Sequence, residues 1–321
     1  MTTNSRTDEL KSALSNRLLV IDGAMGTAIQ NRDLGPDDFG GAEYEGCNEY
    51  LIVTRPDVIE DIHRSYLEAG ADIIETDTFG STPVVLAEYD LAHEARRLNR
   101  DAAALARRVA EEYSTPDKPR FVAGSMGPTT KTISVTGGIT FEELAADYHT
   151  QAAGLIEGGV NLLLLETSQD TINVKAGLEG IDRAFAELGR EVPVAVQGTV
   201  EPMGTLLAGQ DVEAFYTSLS HRDLLWIGLN CATGPSFMTD HIRSLAALSK
   251  FPVACVPNAG MPDEDGNYNE TPEIMAETVG RFVESGWVNL IGGCCGTVPK
   301  HVELLVETAA GKPVRPGIES G

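Results

Sequence analysis

Eight times along its 321 residues the chain repeats one unit: a short, continuous apolar run ending in small or polar residues, then a segment with helically spaced apolar positions. The runs fall at residues 18–21, 71–76, 121–123, 162–165, 194–196, 224–229, 253–256 and 287–291. Continuous rather than alternating apolar runs indicate strands buried on both faces, as in a parallel sheet. The intervening helices carry their own start signals. Pro56 opens a segment with Val58, Ile59, Ile62, Tyr66 and Leu67 on one face, Thr140 and Glu143 form a capping box, and Asp211 caps the segment to Ser220. Eight strand-then-helix units argue for an α/β fold, a single-domain (β/α)8 TIM barrel over residues 16–310. A doubly wound open sheet is the competitor, but residues 23–26 lack the G-x-G-x-x-G spacing of its phosphate loop. Residues 1–15 read as a polar N-terminal tail, 31–48 as an irregular excursion, and 311–321 as a C-terminal tail or linker.

A barrel opens the ends of all its strands onto one face, where active sites lie. By this parsing Asp22 ends the first strand, Asp77 follows the second and Glu166 ends the fourth. Cys231, Asn258 and the Cys294-Cys295 pair end the sixth, seventh and eighth, which are neighbours around the barrel. Adjacent cysteines seldom form a disulfide with each other, because the ring is strained. On a glycine-rich turn they can instead converge on one metal, and three thiolates suit zinc with a fourth position open. Taken singly, each of these cysteines reads as a small buried residue; together at neighbouring strand ends they point to metal. Asp22 has an alternative as a turn residue before Gly23, and Glu166 as part of a rim ion pair. Facing a metal, the two would hold the ammonium of an amino-acid substrate, with the turn at Gly23 offering backbone N–H groups to its carboxylate.

Four segments resemble the homocysteine S-methyltransferase family: residues 22–27 (DGAMGT), 69–79 (AGADIIETDTF), 228–231 (GLNC) and 292–297 (GGCCGT). The resemblance runs over residues 18–310. Residues 43–51, 208–210 and 257–262 are more similar to the homocysteine-binding module of cobalamin-dependent methionine synthase than to betaine- or S-methylmethionine-using relatives. The resemblance implies Zn2+ held by Cys231, Cys294 and Cys295, with the homocysteine sulfur in the open position and Asn258 supplying an oxygen there when substrate is absent. It implies that Asp22 and Glu166 bind homocysteine, beside the turn at Gly23, and that Thr76, Asp77 and Phe79 line the same pocket. It implies methionine synthesis with methylcobalamin as methyl donor, delivered by cobalamin- and folate-binding modules or subunits. This chain would then be an excised module or a stand-alone subunit. Two other readings stand beside it, an enzyme using S-methylmethionine or betaine and a zinc- and homocysteine-binding protein without turnover.

The chemistry agrees with the residues. A free thiol of pKa about 8.5 is mostly protonated at neutral pH, whereas a coordinating thiol is deprotonated, so no catalytic histidine is required. The six histidines lie in or beside predicted helices and read as surface or packing residues. Cys47 and Cys255 read as structural, and residues 263–267 as an acidic turn without the spacing of a calcium loop. With 48 acidic against 24 basic residues the net charge is −24, which argues against nucleic acid or an anionic membrane as partner. The same excess, with few lysines, fits adaptation to high salt. Residues 1–15 hold no apolar stretch, and no run reaches the ~20 apolar residues of a membrane helix, so the expected location is cytoplasmic.

Overall fold

Successive side chains of each strand enter two different apolar environments, the period-two rule of extended backbone. Leu19, Ile21, Ile73, Phe121, Ala123, Leu162, Leu164, Ala195, Trp226, Ala254, Val256 and Leu290 belong to one buried cluster. Their sequence neighbours Val20, Ile74, Val122, Leu163, Leu165, Val194, Val196, Ile227, Val253, Cys255 and Ile291 pack in another, together with the helices. The first cluster fills the inside of a barrel and the second is the layer between barrel and helices. In a computed structural model that describes residues 3–264 and 266–316, the strands are β1 (Leu19–Val20), β2 (Ile73–Glu75), β3 (Phe121–Met126), β4 (Leu162–Ser168), β5 (Val194–Gly198), β6 (Ile227–Asn230), β7 (Val253–Val256) and β8 (Leu290–Ile291). All pairings are parallel, and β8 lies between β7 and β1. An isolated parallel bridge from Ile21 to Ile73 joins the first strand to the second, backed by Asp22 N to Ile73 O at 3.0 Å. The (β/α)8 barrel is therefore the observed fold.

The expected helices are present with the expected caps: Thr140 and Glu143 exchange the two bonds of a capping box, and Asp211 Oδ1 accepts from Ala214 N at 2.8 Å. Boundaries shift where burial and hydrogen bonding part company. The run at 287–291 becomes strand only at Leu290, because Trp287 instead stacks on Phe282 with ring centroids 5.8 Å apart. Within residues 31–48 the backbone forms no strand and only short turns of helix, such as Ala42–Tyr44. His63 is a packing residue, wholly buried, and burial pulls it down to about 4, so it is neutral. Cys47 and Cys255 are buried too, the latter in β7.

Both ends depart from the expected tails. Residues Thr3–Asn16 form a helix, α1, whose Leu10 and Leu14 are buried with Phe121, Leu162, Trp226 and Leu290. A helix with so few apolar residues gives almost no periodic signal, yet one turn of separation aligns these two into a plug for the N-terminal end of the barrel. Of residues 311–321, those from 317 lie outside the described part. Before them, buried Arg315 donates to the carbonyls of Ala246 (2.7 Å), Ser249 (2.5 Å) and Phe251 (3.1 Å), fastening the chain under the seventh unit.

Removing the plug's larger contact tests this arrangement. Leu10→Ala should destabilise the protein by about 2–5 kcal/mol, read from urea unfolding. A loss below about 0.5 kcal/mol would show that α1 adds nothing to the barrel core.

Candidate metal centre

The alternation that fills the barrel with apolar side chains continues one step further at the C-terminal end of the strands. Two residues beyond Ile73, Ala123, Leu164, Ala195 and Val256 stand Glu75, Ser125, Glu166, Gln197 and Asn258, and four beyond Trp226 stands Asn230. A polar layer thus caps the apolar interior. Within it Ser125 Oγ donates to Glu166 Oε1 at 2.5 Å. Asn230 Nδ2 donates to Glu166 Oε2 at 3.1 Å and to Thr167 Oγ1 at 2.8 Å, while Asn230 Oδ1 accepts from Thr167 N at 2.8 Å. Gln197 is fully buried and neither of its amide atoms has a partner among the described residues.

The three cysteines stand directly above this layer. Cys231 Sγ lies 3.7 Å from Cys295 Sγ, Cys294 Sγ lies 4.0 Å from Cys295 Sγ, and all three sulfurs fall within 4.8 Å of one another. Tetrahedral zinc with Zn–S of about 2.3 Å requires sulfurs roughly 3.8 Å apart, so the spacing fits. The backbone achieves it by close approach and by strained turns. A Cβ on Gly292 would sit 2.2 Å from Ile21 Cγ2, so only glycine lets the end of β8 press against the first strand. Cys231 and Ala232 adopt left-handed conformations, φ +60° and +57°, that cost ~1–2 kcal/mol each. Such strain persists where the surroundings enforce it and is commonest at functional sites. Cys294 N to Pro257 O (2.8 Å) and Ala259 N to Cys295 O (2.9 Å) tie the cysteine turn to the loop after β7.

The thiols share charge unequally. Contacts from Cys231 and Cys294, with a hydrogen bond from Tyr268, pull Cys295 down to about 3. Contacts with Cys231 and Cys295, together with burial, raise Cys294 well above the thiol range. Cys231 is pushed up to about 12: the contact from Cys294 opposes the shift, and that to Cys295 and burial drive it. A divalent cation among the sulfurs would favour ionisation of all three. Asn258 is buried beside them, its N–H bonded to Thr233 O at 3.1 Å, and its Oδ1 has no partner among the described residues. An orphaned carbonyl oxygen there suits a fourth ligand. The structure thus offers a donor set that fits zinc.

Sequence reasoning missed Tyr268, Asn230, Glu75 and Gln197. Tyr268 reaches Cys295 from the loop after β7, where Pro262 and Tyr268 form an antiparallel bridge and Asp263 Oδ1 accepts from Asn267 N at 2.8 Å. The acidic turn is thus the base of this loop, with Asp265 itself outside the described residues. Asn230, Glu75 and Gln197 were in principle findable by counting in twos from the apolar layer.

The acidic residues form two groups. Asp22, Glu75 and Glu166 interact with one another; burial first, then mutual repulsion, raises Asp22 and Glu75 well above the carboxylate range. Burial, opposed by the bond from Ser125 and aided by Cys295, pushes Glu166 up to about 7. Asp22 Oδ2 accepts from Glu75 N at 3.0 Å, but its Oδ1 is buried without a partner among the described residues. Asp77 interacts instead with Glu49, whose Oε1 accepts from Gly80 N at 2.6 Å. Thr76 Oγ1 is taken up by Thr78 Oγ1 (2.6 Å) and Ser125 N (3.0 Å), and Phe79 is exposed. Gly23 packs against Tyr66 and Thr297, and the amide of Ala24 after it donates to Thr297 Oγ1 at 3.2 Å.

Three convergent thiols above a carboxylate-lined barrel mouth form a cluster that could hold a metal ion. The homocysteine S-methyltransferase family profile matches residues 19–309, and the chain belongs to that family of methyltransferases. Among solved structures, the homocysteine methyltransferase MmuM from Escherichia coli is similar in fold. Its metallated form superposes with a TM-score of 0.73 at 22% identity, covering 90% of this chain and 95% of that one. Its apo form gives 0.68 at 21% identity, over 91% and 96%.

The Asn230 amide is the clearest structural test of the polar layer. Asn230→Ala leaves Thr167 N and one oxygen of Glu166 without their partner and should cost about 1–3 kcal/mol in chemical denaturation. Stability within about 0.5 kcal/mol of the parent would show that the network contributes nothing.

Proposed function

We propose that this methyltransferase moves a methyl group onto the sulfur of homocysteine, forming methionine, with zinc held by Cys231, Cys294 and Cys295. The observation that supports this reading most is the meeting of three mutually close thiols with two buried carboxylates, Asp22 and Glu166, and the half-buried Glu75. Among the described residues none of Asp22, Glu75 and Glu166 has an ion-pair partner. Such a mouth is complementary to a small molecule with a thiol at one end and an ammonium at the other. Zinc, when bound, would keep the substrate thiol deprotonated at neutral pH. Asp22 and Glu166 orient the substrate by receiving its ammonium, and entry of that cation favours their ionised forms. Ser125 and Asn230 fix Glu166 in place, so its carboxylate is aimed before substrate arrives. Asn258 Oδ1 would serve as the oxygen ligand of the substrate-free site.

We assign methylcobalamin, carried by another module or subunit, as the methyl donor. The resemblance of residues 43–51, 208–210 and 257–262 supports this, and so does the surface around the mouth. Of the exposed large apolar side chains, Phe79, Met203, Leu207 and Met261 come from loops that follow strands, and Phe237 from a first helical turn. In a barrel these all lie on the face of the active site. Apolar side chains gathered on one face mark a surface for a macromolecule more than for a small donor.

Glu166→Ala should weaken homocysteine binding by roughly 10- to 150-fold, the worth of a charge-assisted hydrogen bond, while zinc content stays at the parental level. Unchanged affinity by calorimetry would remove Glu166 from substrate recognition. Turnover offered methylcobalamin, S-methylmethionine and betaine in turn should yield methionine only with the first. Turnover with either of the others alone would reassign the donor, and tight homocysteine binding without turnover would leave a binding protein.

A further inference from the structure

At the end of the barrel opposite the cysteines, a cavity of about 170 Å³ opens between α1, the entries to β3, β4 and β5, and the helix Ala95–Tyr113. One water needs only ~10–15 Å³ of such space, so the cavity admits a larger guest. Its wall carries the guanidinium groups of Arg6, Arg107, Arg120 and Arg190, with the neutral side chains of Thr7 and Asn161. Among the described residues Glu111 is the only acidic one lining it, and it is paired with Arg107 at 2.9 Å. Arg6 is paired with Glu9.

Arg120 and Arg190 are less well matched. Arg120 is only 9% exposed and Arg190 is half-buried. Their Nη1 atoms donate to backbone carbonyls, of Gly70 and Ala71 for Arg120 and of Ile156 for Arg190. Neither has a carboxylate within ion-pair distance among the described residues, and the Nε of each is buried without a partner. Two arginines so placed carry charge with no carboxylate at ion-pair distance among the described residues, and an anion in the cavity would balance it. The guanidinium fork matches tetrahedral oxyanions, and phosphate above all.

We propose that this cavity is an anion site that takes a phosphoryl group, either free phosphate or the phosphate end of a small monoester. Arg120 and Arg190 form its floor, and Arg107 and Arg6 its rim. It lies on the face of the barrel that serves stability rather than chemistry, so its occupant should stabilise the fold and leave homocysteine binding alone.

The test uses the full chain. Melting temperature and calorimetric binding are measured with sodium phosphate and with glycerol phosphate, each against sodium chloride at matched ionic strength. The parent should melt higher in phosphate than in chloride and bind one equivalent. Because Arg120 also bonds the backbone and its loss risks misfolding, the variants are Arg190→Gln and the double Arg107→Gln, Arg190→Gln. Each should weaken phosphate by about tenfold or more, with homocysteine affinity unchanged. Binding of both phosphates supports a site open to a monoester, and binding of phosphate alone supports a closed one. Equal melting in phosphate and chloride, or undiminished binding by a folded double variant, would overturn the proposal.

Discussion

The parity of the strands is the constraint from which the mouth of this barrel follows. Because extended backbone sends alternate side chains to opposite faces, a strand residue that fills the interior also sends inward the residue two positions further along the strand. Ala123 commits Ser125 and Leu164 commits Glu166. A one-residue slip in any strand would exchange that polar group for an apolar one and bury the former among the helices. The apolar layer below, sealed by Leu10 and Leu14 of α1, is therefore what places the polar layer. The cysteines rest on that layer in turn, through the approach of Asn230 Nδ2 to Cys294 Sγ at 3.9 Å.

What the mouth holds is unfavourable in isolation. Three thiols close together, three mutually repelling carboxyl groups nearby and two consecutive left-handed residues at Cys231 and Ala232 each oppose folding. The layers beneath offset this, with strands buried on both faces and helices packed around them. Cations relieve it: a divalent metal among the sulfurs and an ammonium among the carboxylates would convert the repelling groups into paired ones. A folded scaffold that is incomplete without its ligands is preorganised for them. The same physics, with the sign of charge reversed, governs the arginine-lined cavity at the other end.

Much of this was legible in the chain itself. Eight apolar runs with helices between them specified the barrel, because strands buried on both faces leave an unbroken apolar signature. The Cys231, Cys294 and Cys295 convergence followed from strand order alone. Tyr268 was not legible, because a loop of Gly, Asp and Asn carries no periodicity and its path to Cys295 depends on tertiary contacts. Helix α1 was hidden because Leu10 and Leu14 are two apolar residues in a polar stretch, and only the open end of the barrel gives them a role. The neighbour of Asp77 was not legible either, because the interaction with Glu49 joins the end of β2 to a loop far from it in sequence.

The central claim is that three cysteines and one exchangeable oxygen surround a zinc ion whose open position belongs to a substrate thiolate. X-ray absorption at the zinc edge reads those ligands directly. The account predicts three sulfurs and one oxygen or nitrogen in the substrate-free protein, and four sulfurs once homocysteine is added. Fewer than three sulfurs at the start, or a first shell unchanged by homocysteine, would contradict it.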